Sequence, residues 1–457
     1  MKRTLLLFTI LAMLFGMTAC TIPGITKPTE APTTPPEEQP TIPEVLPAAQ
    51  TKVPNAYTMA ELNSLPTAKP GMTEEELRQI VLAYMRAQCH IIWTPSIDFE
   101  YDSQSTHRSL FEGTLYGGMP YITNCQSSLY NFMHFYDERN GMLDMERLMS
   151  SKQPWQKILA NQCSGSTYWA WARVSNSIKY GYCTYITPAN GFVFAEGLEL
   201  PVLFSKFYDN DPERCIDSFD DIAKPTGQQN MYQIYANMKP ADGLVYFDSW
   251  YEEKVDGEVV RKNRQWGHVI MCADVYVEYN DDGTIDGKKS YALILDQTLG
   301  FTQTLLENGE TANVYPNWEK PFTFDYLYRY GYLPFTLPEF AGTDPVEEAT
   351  VTAQIGRKPI EGESITMTEF YKMKLVANYP ISYYTVILKN STGGVLYSEH
   401  IYTLEMNAYD ILSVLDTSIL DQDRITELAN DGRYTLEITA RVSTGEVITA
   451  YSGGLTN

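Results

Sequence analysis

Cys163 stands near the start of the segment Asn161-Gln162-Cys163-Ser164-Gly165-Ser166-Thr167-Tyr168-Trp169-Ala170-Trp171-Ala172, polar and small at first, then apolar and aromatic. That pattern predicts a thiol at a helix N-terminus. There, unpaired backbone N–H groups and the helix dipole favour the nucleophilic thiolate and can also donate to an oxyanion. A base follows in Trp266-Gly267-His268-Val269-Ile270-Met271-Cys272, which reads as a glycine-led strand carrying His268. After the hairpin signal Asn280-Asp281-Asp282-Gly283, the apolar strand 291–296 ends on Asp296, a carboxylate that needs a partner. A nucleophile, a base and an orienting acceptor, in the order Cys163, His268, Asp296, make a cysteine-hydrolase triad. Gln297 is the alternative group for orienting the imidazole. Cys125, in Asn124-Cys125-Gln126-Ser127-Ser128, is the alternative nucleophile, because it too could start a helix.

At these residues the chain resembles the NlpC-type cell-wall cysteine peptidases and the related cysteine, histidine-dependent amidohydrolases. Cys163-Ser164-Gly165 matches the triplet that starts their catalytic helix, and Gly267-His268-Val269 matches their histidine strand. Asp242-Gly243-Leu244-Val245 stands near their Gly-Asp-Leu-Val strand with two residues exchanged, and Tyr116-Gly117-Gly118-Met119-Pro120-Tyr121 is similar to their tyrosine-glycine loop. The resemblance covers roughly residues 116–297 and departs from the family in a long insertion between Cys183 and Lys239. It implies an α+β, papain-like hydrolase domain without a cofactor. Tyr116 and Tyr121 would line the substrate groove, and the substrate would be the stem peptide of peptidoglycan. Leu295-Asp296-Gln297-Thr298 also resembles the aspartate strand of transglutaminase-like enzymes, an alternative with the same triad. A reading from another class is a non-catalytic surface-binding protein in which Cys163 is a packing residue.

The amino terminus places these residues outside the cell. Lys2 and Arg3 precede an apolar run, and Met17-Thr18-Ala19-Cys20 resembles the bacterial lipobox, with Met17 where leucine is usual. This is the layout of a secretory signal peptide, and lipidation of Cys20 would anchor the mature chain to the outer face of the cell membrane. Residues 21–55 are rich in proline and threonine and too poor in large apolar side chains to fold. In polyproline-like geometry, at about 3.1 Å per residue, the stretch from 21 to about 50 would reach about 90 Å at most.

Composition removes other functions. The net charge of −23 offers no basic patch to nucleic acid or to an anionic lipid surface. Apart from Cys20, the cysteines (Cys89, Cys125, Cys163, Cys183, Cys215, Cys272) form no CxxC pair, and none of the five histidines lies in HExxH, so no metal site is expected. Asp209-Asn210-Asp211 and Asp220-Asp221 lack the glycine of a calcium loop and read as acidic surface.

The rest supplies scaffold. Thr73-Glu74-Glu75-Glu76 is a capping box followed by apolar residues at helical spacing, predicting a helix over 73–88. A loop should feed a helix in the apolar run 129–135. The hydrolase domain is expected over 56–342. Beyond it the pattern becomes short alternating runs, such as 383–388 and 434–442, separated by Gly-containing turns. That predicts an immunoglobulin-like β-sandwich over 343–457, and with no ionisable cluster in it the reading is a spacer or binding module.

Overall fold

The capping box at Thr73 forms as its residues dictate. The Thr73 side chain accepts from the Glu76 N–H, the Glu76 carboxylate accepts from the Thr73 N–H, and the helix α1 (Glu74–His90) follows. The computed structural model describes residues 58–103, 106–198, 220–255, 258–298, 300, 302–306, 308–315, 317–404 and 412–457, with the side chains of 103, 106, 184, 220–221, 248–255, 258–266, 317–318 and 412–414 left aside. Cys20 with its signal and tether, Asp209-Asn210-Asp211 and Cys215 therefore lie outside the described residues. What is described falls within one compact unit of mixed α+β structure. None of its helices is long and apolar enough to cross a membrane.

The chain buries its apolar residues in two main clusters. The first runs from Leu62 to Val346 and includes Tyr402; the second begins at Val351. The first cluster is organised by an antiparallel sheet of β1 (Val193–Phe194), β2 (Gly243–Val255), β3 (Glu258–Tyr276), β4 (Tyr291–Asp296), β5 (Asn317–Thr323) and β6 (Leu333–Thr336). Their order is β5-β4-β3-β2-β6-β1. Against it packs α2 (Cys163–Trp171), all nine of whose residues are buried. A helix hydrophobic on every side belongs inside a domain. Helix α1 lies against α2, where Gln88 Nε2 donates to the Ser166 carbonyl at 2.9 Å.

A second, mixed sheet contains Ile92–Pro95, Tyr116–Gly117 and Thr311–Val314 among its strands. The expected helix in 129–135 forms as Leu129–Met133, capped by Ser128. The second cluster lies between a four-stranded sheet (Lys358–Ile360, Val351–Ile355, Met373–Ala377, Leu412–Val414) and a five-stranded one (Ile365–Thr366, Val447–Thr456, Tyr434–Val442, Ile381–Lys389, Val395–Tyr402). The sequence pattern for this region did not foresee the helix Gln422–Asn430. Asp421 caps it and its inward residues are Ile425, Leu428 and Ala429.

The five-stranded sheet, at Tyr402 and in the connection after Val442, is bonded to the body of the first cluster. Gln153 exchanges two hydrogen bonds of 2.8 Å with the Tyr402 backbone, and Ser443 Oγ donates to the Ala172 carbonyl at 2.6 Å just past the end of α2. The His134 ring stacks on His400 with centroids 4.3 Å apart.

Candidate active site

Cys163 is the first residue of α2. Its N-cap, Gln162, is extended (φ −129°, ψ 173°) and makes no side-chain cap, so the first-turn N–H groups have no capping side chain competing for them. The turn is locked from behind by Asn161, whose Oδ1 accepts from the Gln162 N–H at 2.9 Å and whose Nδ2 donates to the Ser127 carbonyl at 2.7 Å. Gly165 is required here, because a Cβ at that position would lie 2.1 Å from Asn161 Oδ1. The Cys-Ser-Gly triplet thus has a steric reason for its last member.

His268 lies on β3 opposite Tyr246 of β2. Its Nε2 is 2.7 Å from Asp296 Oδ2 at the end of the neighbouring β4, and that carboxylate is only 2% exposed. With Nε2 engaged, Nδ1 remains for Cys163. Burial would depress the His268 pKa, but the Cys163 charge and the hydrogen bond to Asp296 outweigh it and raise it to about 10. The Cys163 thiol is held well below its usual range. Hydrogen bonding from Cys183 is the largest cause, burial opposes it, and the His268 charge and the Val269 N–H add to it. Both directions favour the charged form of each partner, sulfur and ring stabilising one another.

The structure sorts the remaining candidates. The Tyr121 hydroxyl points at Cys163 Sγ at 4.0 Å, and burial together with that sulfur raises its pKa. Tyr116 is elsewhere: it pairs with Trp93 in the mixed sheet, is 2% exposed, and its hydroxyl accepts from the Phe111 N–H. It is a core residue rather than a wall of the groove, because residues 116–117 pair within the mixed sheet and only the chain beyond them, at Tyr121, reaches Asn161 and Cys163. Gln297 donates to the Met119 carbonyl, leaving the imidazole to Asp296. Cys125 precedes the Ser128 cap by three residues, so it starts no helix, and burial pushes its thiol up to about 11 against the charge of Lys157. Asp242 is structural, binding Arg78 Nη1 and the Lys239 N–H, each at 2.8 Å. Among the described residues no three His, Cys, Asp or Glu side chains converge as a cation site.

Three participants were not read from the sequence as part of the site. Gln162 accepts from the Asn124 N–H at 3.0 Å and donates to the Tyr180 hydroxyl at 3.3 Å, tying two loops to the nucleophile. Cys183 is buried against the site, and Tyr182, 46% exposed, donates to Asn124 Oδ1 at 2.7 Å. Their one sequence signal was the cluster Tyr180-Gly181-Tyr182-Cys183-Thr184-Tyr185, aromatic and small within a loop. No family model matches the chain, and comparisons with curated proteins and with solved structures found no significant match.

Proposed function

We propose that the chain is a cell-surface cysteine hydrolase of the NlpC type that cleaves amide bonds in peptidoglycan stem peptides. The observation that carries this reading is His268 held between the buried Asp296 and a thiol at the first turn of a helix. In this reading the Cys163 thiolate attacks the amide carbonyl, and the first-turn N–H groups, with the Tyr121 hydroxyl beside them, receive the oxyanion. The His268 imidazolium gives its proton to the leaving amine, then takes one from the water that releases the acyl group. Asp296 fixes the ring and favours its charged form. Exposed Tyr182 and Tyr185 on the adjoining loop are suited to grip a peptide or sugar chain.

On this account the fold around the sheet is papain-like, and the C-terminal pair of sheets an immunoglobulin-like module. The support is the antiparallel sheet behind a nucleophile helix in the first case, and two sheets sharing one core in the second. The anchoring proposal rests on Met17 to Cys20 and is tested by membrane fractionation: Cys20→Ala should move to the medium, and a variant still retained by membranes contradicts lipidation. The activity is tested by incubating purified wall fragments with the full chain and with Cys163→Ala and reading product masses. The full chain should add one water per bond cut and the variant none. A fully active Cys163→Ala would overturn the assignment.

A further inference from the structure

Cys183 is the one nucleophilic group at the site that the proposed hydrolysis does not use. It begins the short turn Cys183–Tyr185 and is 6% exposed, as is Cys163. Its backbone is positioned from both sides. Tyr180 is bonded by Gln162, the residue before the nucleophile, and Tyr182 is bonded to Asn124. Gly181 has no room for a side chain, since a Cβ there would lie 2.0 Å from the Tyr185 ring. On the far side, a Cβ at Gly267 would meet the Cys183 Cβ at 3.0 Å, so the glycine before His268 is what lets Cys183 approach.

Cys183 thus sits over Gly267 while Cys163 accepts from the N–H of Val269, two residues along the same strand, and each thiol is the leading influence on the other's ionisation. Cys89 and Cys272 are instead governed by burial and by carboxylates and an arginine, and Cys125 by burial and a lysine. We propose that Cys163 and Cys183 are a redox pair, joined in a reversible disulfide that caps the nucleophile when small-molecule disulfides are present. The proposal rests on the thiolate reading of Cys163 that also supports the hydrolase.

The chemistry balances with a low-molecular-weight disulfide, RSSR, as oxidant. The Cys163 thiolate attacks one sulfur, a mixed disulfide forms, and RS⁻ leaves with the proton of His268. Capping removes the negative charge that holds Cys183 protonated. Cys183 then gives up its proton, attacks the Cys163 sulfur and expels the second RS⁻, which leaves as RSH. Two cysteines are oxidised by two electrons, and one RSSR becomes two RSH. A dithiol runs the sequence backwards.

The test uses the reduced full chain treated with excess oxidised glutathione, quenched with iodoacetamide, digested without reductant and read by mass. The expected product is a Cys163–Cys183 linked peptide, two hydrogens lighter than the dithiol and reversed by dithiothreitol. In Cys183→Ser, Cys163 should stop at the glutathione adduct. A native chain that stops at that adduct, or a Cys183→Ser chain that bridges Cys163 to another cysteine, would overturn the pairing. The readout does not depend on turnover. A chain that bridges but cuts no wall fragment breaks the hydrolase reading alone, and one that cuts but does not bridge breaks this inference alone.

Discussion

His268 and the stacked pair His134–His400 are all largely withdrawn from solvent, yet they answer burial in opposite directions. At the junction of the two clusters, burial lowers His134 to about 4 and His400 to about 3, helped by the positive charges of Arg147 and, for His400, by its neighbour's ring and Arg441. His400 Nδ1 meets Thr385 Oγ1 at 3.0 Å, and its Nε2 is without a hydrogen-bond partner. At the site, the same burial penalty is outweighed by the Cys163 charge and the hydrogen bond to Asp296. Burying a histidine therefore makes it neutral and structural unless anions are buried with it. The site differs from the junction by having built those anions in.

The largest way to break this contrast is to remove the base. His268→Ala should lower turnover on wall fragments by about 10²–10⁴-fold. Asp296→Asn should cost less, because the imidazole keeps a hydrogen-bonding neighbour but loses its charge. If Asp296→Asn proved the more damaging of the two, measured as kcat/KM, the carboxylate would be more than an orienting group.

A smaller effect is expected at the junction, in stability rather than rate. In the unfolded chain histidines titrate near pH 6.5, whereas folded His134 and His400 refuse protons until about pH 4 and 3. The unfolded state thus binds more protons below about pH 6.5, and stability falls as the pH drops through that window. The His400→Phe variant should lose less melting temperature between pH 7 and pH 5 than the parent chain. An equal loss would remove the pair as a cause. The Cys163–His268 pair gives no such slope between about pH 6.5 and 8.5: folding moves one proton from sulfur to ring and takes up none.

How much of this was legible follows from the range of each interaction. Thr73 and Glu76 announce α1 because a capping box is complete within four residues, and Tyr434–Val442 shows its alternation within one strand. The order Cys163, His268, Asp296 was readable because each lies at the end of, or within, a regular element. Tyr116 is core and not groove, a difference hidden in the sequence because a Tyr-Gly-Gly run looks the same whether its tyrosine faces a cleft or, as here, is paired in a sheet just before the chain reaches the site. Its strand partners, Trp93 and Asn313, lie far away in sequence. Cys183 is hard to read for a related reason: a loop residue brought to a site by Gln162, Asn124 and the space above Gly267 leaves only the aromatic, glycine-containing run 180–185 as a signal. The Gln422–Asn430 helix is a single short amphipathic run among strands, too brief to outweigh the alternation around it.

The central claim is that Cys163 is a thiolate, held so by the Cys183 hydrogen bond and by the His268 charge, and the pH dependence of its alkylation tests this most directly. Iodoacetamide labelling of the reduced full chain, read peptide by peptide, should give a Cys163 rate that is flat from pH 7 to 9. The Cys125 rate should climb about tenfold per pH unit over the same range, as for a thiol whose pKa lies above it. In His268→Ala the Cys163 profile should turn into a rising curve like that of Cys125. A native Cys163 rate that already climbs tenfold per unit through pH 9 would contradict the account, because the sulfur would then hold its own proton.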